Sequence, residues 1–120
     1  MTKSVDNTVL DAALNVIATA TTMHLCNAAP SSFAEVLSFS IGFVSVDTTD
    51  FSNSDGDVSG RKTTIGAQAG ISVTQTSTVT HVALISSSTF LALTEHTVLA
   101  VTSGDSRNSQ AFDFEIRDPA

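Results

Sequence analysis

The sequence predicts a mainly β, single-domain protein, an antiparallel β-sandwich or jelly roll of seven to eight strands with one N-terminal amphipathic helix. The length of 120 residues fits one domain. Only 14% of the residues are charged, and hydroxyl side chains replace them, with 17 Ser and 17 Thr. Thr suits strands and Ser suits turns. From residue 22 onward, short apolar runs alternate with turn residues, which is typical of an all-β fold.

The helix is predicted over residues 9–19. Apolar residues recur there at spacings of three and four, which places them on one stripe of a helix. Thr8 is the predicted N-cap, with Asp11 over the first turn. Residues 1–7 show no core-forming pattern and are predicted to be a flexible arm that docks onto a neighbouring subunit. The apolar stripe comprises Val9, Leu10, Ala13, Leu14 and Ile17.

Residues 22–118 are predicted to form the sandwich. The first strand covers residues 22–27 and is stopped by Pro30. A second strand is predicted from Val36, where the apolar residues alternate and change phase beside Gly42, as at a β-bulge. The residues predicted to share one face of this strand are Leu37, Phe39, Ile41 and Phe43.

The second half of the chain is predicted to consist of turns and short strands. Residues 47–60 are turn-forming throughout. The strand at residues 79–86 is apolar on both faces, so we expect it inside a sheet that is covered on both sides. A turn at Gly104–Asp105 precedes the last strand, which directs Phe112, Phe114 and Ile116 inward. The strands are predicted over 61–67, 70–75, 79–86, 89–94, 97–102 and 110–117.

The charge balance bears on partners and location. The formal net charge is −7 with five basic residues, which do not form the basic cluster that nucleic-acid binding requires. The same acidity disfavours an anionic membrane surface, and no apolar run approaches the roughly 20 residues of a membrane span. The N-terminus does not resemble a signal peptide. Cys26 alone cannot form an internal disulfide, so we expect synthesis in a cytoplasm.

Two groups of residues resemble metal sites in part, but neither is favoured as one. The loop at residues 53–57 resembles a calcium loop, but its alignment places Phe51 and Lys62 at ligand positions. A looser site of Asp50, Asp55 and Asp57 is less favoured than a solvated hairpin turn. The histidines lack a zinc-ligand spacing, although His24 and Cys26 would share a strand face. His81 is predicted to be a buried, hydrogen-bonded imidazole. These three histidines are His24, His81 and His96.

No pattern in the sequence indicates catalysis. A nucleophile elbow and a phosphate-binding glycine loop are both missing, and the many hydroxyls make any Ser–His pairing uninformative. We therefore expect a non-enzyme without cofactor or metal. The basic pair Arg61 and Lys62 follows an acidic turn. It is interpreted either as a locally neutralised hairpin or, together with Lys3, as a contact with a partner subunit.

The order of the motifs resembles a family of small virion proteins of tailed bacteriophages. The resemblance implies a virion structural component made in the host cytoplasm and located on the capsid surface. It implies a capsid decoration (cement) protein that binds and stabilises the shell of the major capsid protein, with a trimer as the favoured homo-oligomer. The motifs are VLDAALNVI (9–17), MHLCNAAPSSFAEV (23–36), SDGDVSGRKTTI (54–65), STVTHVALIS (77–86) and FEIRDP (114–119).

Two other functions stay open. A tail, neck or fibre-associated virion protein would have a similar composition. A carbohydrate-binding β-sandwich module is disfavoured because such sites stack sugars on Trp or Tyr, and the chain has neither.

Overall fold

The computed structural model describes residues 5–117, which contain nine strands in two antiparallel sheets. The prediction of a mainly β sandwich is confirmed, with one strand more than expected. Lys3, most of the predicted arm and residue 118 lie outside the described residues. The elements are α1 (Asn7–Ile17), β1 (Thr22–Cys26), α2 (Phe33–Phe39), β2 (Ser40–Ser45), a 3-10 turn (Thr48–Asp50), β3 (Phe51–Asp55), β4 (Arg61–Ile65), β5 (Gln68–Val73), β6 (Ser77–Ile85), β7 (Phe90–Val101), β8 (Ser106–Ser109) and β9 (Phe112–Ile116).

The two sheets enclose the main core. The larger sheet has the strand order β7-β6-β1-β2-β5-β8, and the smaller one has the order β3-β4-β9. Side chains from the inner face of the larger sheet pack against the smaller sheet, and Met23, Ile41 and Ile65 are completely buried there. Strand β6 pairs with β1 on one side and β7 on the other, so its predicted interior position is confirmed.

Helix α1 begins and ends two residues earlier than the sequence pattern predicts. Asp6 is its N-cap, because the Asp6 carboxylate accepts a hydrogen bond from the Thr8 backbone N–H at 3.0 Å. The predicted cap at Thr8 is therefore wrong, and the end of the predicted arm belongs to the helix. Leu10 and Leu14 are buried and anchor α1.

The predicted strand from Val36 begins instead as helix α2, which lies on the outer face of the larger sheet. Ser32 caps this helix by accepting from the Glu35 backbone N–H at 3.2 Å. The Glu35 carboxylate reaches back to the Ser31 N–H at 2.8 Å and to its hydroxyl, and these bonds lower the pKa of Glu35. Val36 is buried, whereas Leu37 is 53% exposed.

A bulge is present in β2 as predicted, but it lies two to three residues before the predicted phase change at Phe43–Val44. Leu25 pairs with Gly42 and Cys26 with Ser40, so Ile41 is the extra residue of β2. The predicted common face of Leu37, Phe39, Ile41 and Phe43 is wrong, because Ile41 enters the core while Phe43 is 50% exposed.

Gly42, beside this bulge, is required by a close approach of two strands. A Cβ at this position would lie 2.6 Å from the Ser72 carbonyl oxygen on β5. Strands β2 and β5 can therefore pair here only if residue 42 has no side chain.

Three further differences concern polar segments. Residues 47–60 are not turn throughout, because the 3-10 turn and β3 lie within them. The two strands predicted over residues 89–102 are one strand, β7. The turn at Gly104 precedes β8, a strand that the sequence pattern missed, rather than β9. Phe112 and Phe114 of β9 pack against the main core, as predicted.

Truncation of Leu14 tests how α1 is held. We expect Leu14→Ala to lower the free energy of unfolding by about 2–5 kcal/mol, because it leaves a cavity at a completely buried site. Val16→Ala is the matched control in the same helix, since Val16 is 56% exposed. Urea unfolding of both variants measures the difference, and equal losses would contradict this packing of the helix.

Candidate functional site

The guanidinium of Arg61, predicted to contact a partner, is ion-paired within the chain. Its Nε and Nη2 donate to the two carboxylate oxygens of Asp11 at 2.9 and 3.3 Å, and its Nη1 donates to Asp55 at 2.9 Å. These bonds raise the pKa of Arg61. Asp11, predicted to lie over the first helical turn, therefore joins α1 to β4. The interpretation of this region as a locally neutralised hairpin fits these contacts.

Lys62 is paired in the same way on the other side of the strand. Its Nζ lies 2.7 Å from an Asp57 oxygen and 3.4 Å from an Asp113 oxygen. The bond to Asp57 is the main reason why the pKa of Lys62 is raised. A partner contact through Arg61, Lys62 or Lys3 stays a prediction. To make it, Arg61 and Lys62 would have to bind the partner subunit while they are ion-paired with the carboxylates described above.

The turn between β3 and β4 is held rigidly by Glu115 of β9. The Glu115 carboxylate accepts from the backbone N–H groups of Asp57 and Val58, and from Arg117 at 2.7 Å. The Arg117 bond is the main cause of the lowered pKa of Glu115. Gly60 has a φ of 68°, and a Cβ there would meet the Ile116 carbonyl oxygen. The tip therefore presents Val58, which is 69% exposed, in a fixed position.

The structure directs the three carboxylates of the looser calcium interpretation to different partners. Asp55 and Asp57 pair with the two basic residues of β4, whereas Asp50 accepts from the Asp47 N–H at 2.9 Å and from Gln68 at 3.3 Å. Within residues 5–117, no three His, Cys, Asp or Glu side chains are grouped as metal ligands. The contacts of these carboxylates thus serve the hairpin and its neighbouring turn.

A second, smaller apolar cluster lies on the opposite side of the larger sheet, under α2. We call this side, with the exposed Leu37 and Phe43 beside the cluster, the outer face. The cluster is only partly closed, because its four aromatic and leucine side chains keep part of their surface accessible. The buried members are Cys26, Val36, Ala83 and Ile85, and the partly buried ones are Phe33, Phe39, Phe90 and Leu93.

His24 lies at the margin of the outer face. Within residues 5–117 it is the histidine whose side chain is buried. His24 Nδ1 is hydrogen-bonded to the Ser40 hydroxyl at 2.7 Å, and His24 Nε2 to the Thr22 hydroxyl at 3.2 Å. Phe43 stacks on the ring, with 5.4 Å between the centroids.

Burial shifts both titratable side chains at this site toward their neutral forms. It lowers the pKa of His24 and raises the pKa of the Cys26 thiol to about 11. Both nitrogens of the imidazole ring have hydroxyl partners, Ser40 and Thr22. The Ser40–His24 contact therefore links β2 to β1.

The other two histidines lie elsewhere. The prediction for His81 is half right, because the imidazole is hydrogen-bonded to its neighbour, the Thr80 hydroxyl, at 2.9 Å, but it is only partly buried. His96 Nδ1 lies 2.6 Å from the Thr97 carbonyl oxygen in β7. The two-residue spacing of His24 and Cys26 does place both on β1, at the outer face.

The sequence pattern missed the outer face as a feature of the protein. Four of the seven phenylalanines, Phe33, Phe39, Phe43 and Phe90, lie on this face, and each keeps part of its surface accessible. Phenylalanine is normally among the most deeply buried residues. The signal that could have revealed this face is the Ser32–Glu35 capping pair, which marks α2 and so separates Phe39 from the strand that follows.

The pH dependence of stability tests the neutral state of His24. Above a pH of about 6.5 the imidazole is neutral in both the folded and the unfolded chain, so its contribution is complete. As the pH falls further, the unfolded chain binds the proton first because the folded pKa is lowered. We expect the free energy of unfolding to fall as the pH drops below about 7, by at most about 1.4 kcal/mol per pH unit.

Urea unfolding at a series of pH values measures this loss. The variant His24→Gln should flatten the curve in this range, and His81→Gln, on the neighbouring strand, serves as the control. An unchanged slope in His24→Gln would contradict a buried neutral imidazole.

Comparison with known proteins gives no match. No protein-family model matches the chain, and no curated protein or solved structure matches it either. Neither helix within residues 5–117 has the length and apolar character needed to span a bilayer.

Proposed function

We propose that this protein is a structural component of a bacteriophage particle, a capsid decoration protein that binds and stabilises the shell of the major capsid protein. The observation that carries the proposal is the outer face, where aromatic and leucine side chains remain accessible beside a half-closed apolar cluster. Interface cores are enriched in aromatic residues and depleted of charge. The resemblance of the sequence to small virion proteins of tailed bacteriophages supplies the biological setting.

The position of the outer face favours a contact role. Leu37 projects from α2, and Phe43 lies on the adjacent β2 over the ring of His24. Both positions are supported from below, since Val36 and Ile41 are completely buried. A partner can therefore bury Leu37 and Phe43 without a rearrangement of the sheet, which reduces the entropic cost of binding.

The distribution of charge agrees with this proposal. Arg61 and Lys62 form ion pairs within the chain, while the side chains of Asp55 and Asp57 remain 86% and 70% exposed. These exposed carboxylates keep the hairpin end hydrated although its charges are paired, and the net charge of −7 opposes nonspecific association before assembly. Contact is better made through the apolar outer face. Self-association, with a trimer favoured, belongs to the same proposal.

Substitutions on the outer face test the contact. We expect Phe43→Thr and Leu37→Gln each to weaken binding to capsids that lack the protein by about tenfold or more, as for central interface residues. Both sites are half exposed and the new residues suit a strand and a helix, so the fold should persist. Val58→Thr at the hairpin tip is the matched control. Occupancy is measured by titration and sedimentation, and wild-type occupancy in both variants would refute the proposed contact.

The copy number in purified particles tests the location. A decoration protein follows the lattice of the shell and should be present in hundreds of copies per particle, whereas a neck, tail or fibre protein follows a low-order axis. Quantitative mass spectrometry of intact particles measures this number. About a dozen copies or fewer would favour the tail, neck or fibre assignment instead, and absence from particles would reject both.

A further inference from the structure

Strand β7 forms one edge of the larger sheet. It is 12 residues long, about twice the usual length of a strand. Within residues 5–117, no backbone hydrogen bond joins β7 to any element other than β6. The connection from β8 to β9 faces the middle of β7 across a cavity of about 340 Å³. Every second N–H and C=O group of the strand therefore points away from the sheet without a backbone partner.

This edge has little of the protection that edge strands usually carry. Natural proteins shorten such strands, bulge them, or place Lys or Pro in them, because an open edge can pair with another chain. Strand β7 contains no Lys, Arg or Pro, and its only acidic residue is Glu95. Val98 is 70% exposed on it. A bulge is thus its one protective feature, and the edge is suited to pair with a further strand.

The sequence of β7 is complementary to itself when two copies run antiparallel. Full overlap of the 12 residues places Glu95 opposite the partner's His96, and apolar residues opposite apolar ones. A shift of the register by one residue can instead bring the two Glu95 carboxylates opposite each other, which is destabilising. The pairs in full overlap are Phe90–Val101, Leu91–Ala100, Ala92–Leu99, Leu93–Val98, Thr94–Thr97 and Glu95–His96.

The bulge in β7 fits this register. Residues directly opposite each other in antiparallel strands share one face of the sheet, whereas residues an odd number of positions apart in a regular strand lie on opposite faces. Ala92 and Leu99 are an odd number of positions apart, yet both pack against the main core. The reason is the shift of register against β6 between Glu95 and Leu99. Ala92 can therefore lie opposite the partner's Leu99 with both side chains on the inner face.

We propose that this protein forms a two-fold symmetric dimer in which β7 pairs antiparallel with β7 of a second copy. The contact is the same on both copies, so it closes at two. The two-fold axis is perpendicular to the joined sheet, and the outer faces of both copies lie on the same side of it. This inference does not rest on the proposed capsid role. It differs from the trimer that the resemblance implies, and the mass of the free protein distinguishes the two.

Sedimentation equilibrium of the whole protein tests the dimer. We expect twice the chain mass of 12.4 kDa at concentrations of about 100 μM. Val98→Lys places a charge on the edge and should weaken dimerisation by about tenfold or more. Val58→Lys is the matched control, because Val58 is 69% exposed at the hairpin tip. A monomer up to about 1 mM, a trimer, or equal dimerisation of both variants would overturn the proposal.

Disulfide trapping tests the register. Thr94 and the partner's Thr97 are directly opposite, with an expected Cα separation of about 4.5–5.5 Å that a disulfide can bridge. Within one copy the two positions are about 10 Å apart along the strand, which is too far for an internal bond. We expect the double variant Thr94→Cys/Thr97→Cys to oxidise to a covalent dimer, seen by non-reducing electrophoresis. Each single variant is a control, and Cys26 is buried. A monomeric double variant, or equal cross-linking of the single variants, would contradict the pairing.

Discussion

The architecture depends on a sheet that is apolar on both of its faces. Strand β6 directs Val82 and Leu84 into the main core, and Ala83 and Ile85 into the cluster under α2. Burial of apolar surface is the dominant favourable term in folding, so both faces require a cover. The three-stranded sheet covers the inner face, whereas the short helix α2, of seven residues, lies over the outer one. The folded chain therefore leaves aromatic surface accessible, and the proposed contact role depends on this surface.

The smaller sheet is held by a different means. Its strand β3 contains no completely buried residue, and β4 buries only Thr63 and Ile65. Ion pairs and hydrogen bonds add contacts where apolar packing is sparse. Arg61 connects α1 to β3 and β4, and Glu115 of β9 binds the backbone of the turn between β3 and β4. Individual surface ion pairs contribute little, but a network around a hairpin fixes its geometry. The basic pair that stands out in the sequence thus has a role inside the molecule.

Elements with a strong local pattern were predictable from the sequence, and the others depended on tertiary context. The apolar runs of β1, β6 and β9 identified these strands within a few residues. Strands β3 and β8 are polar and form because β4 and β5 offer them backbone partners, which no local pattern encodes. In α2, Val36 and Phe39 fit either period, and only the cap at Ser32 distinguishes helix from strand. The cavity was beyond prediction, because it needs both the bulge in β7 and the missed strand β8.

The outer face and the cavity share no residue, although β7 contributes to both. Phe90 and Leu93 pack under the outer cluster, and the residues from Thr94 to Thr97 line the cavity. The register of β7 against β6 shifts by two residues at this change, between Leu99 and Glu95, so one strand serves an apolar face along its first part and a polar recess along its second.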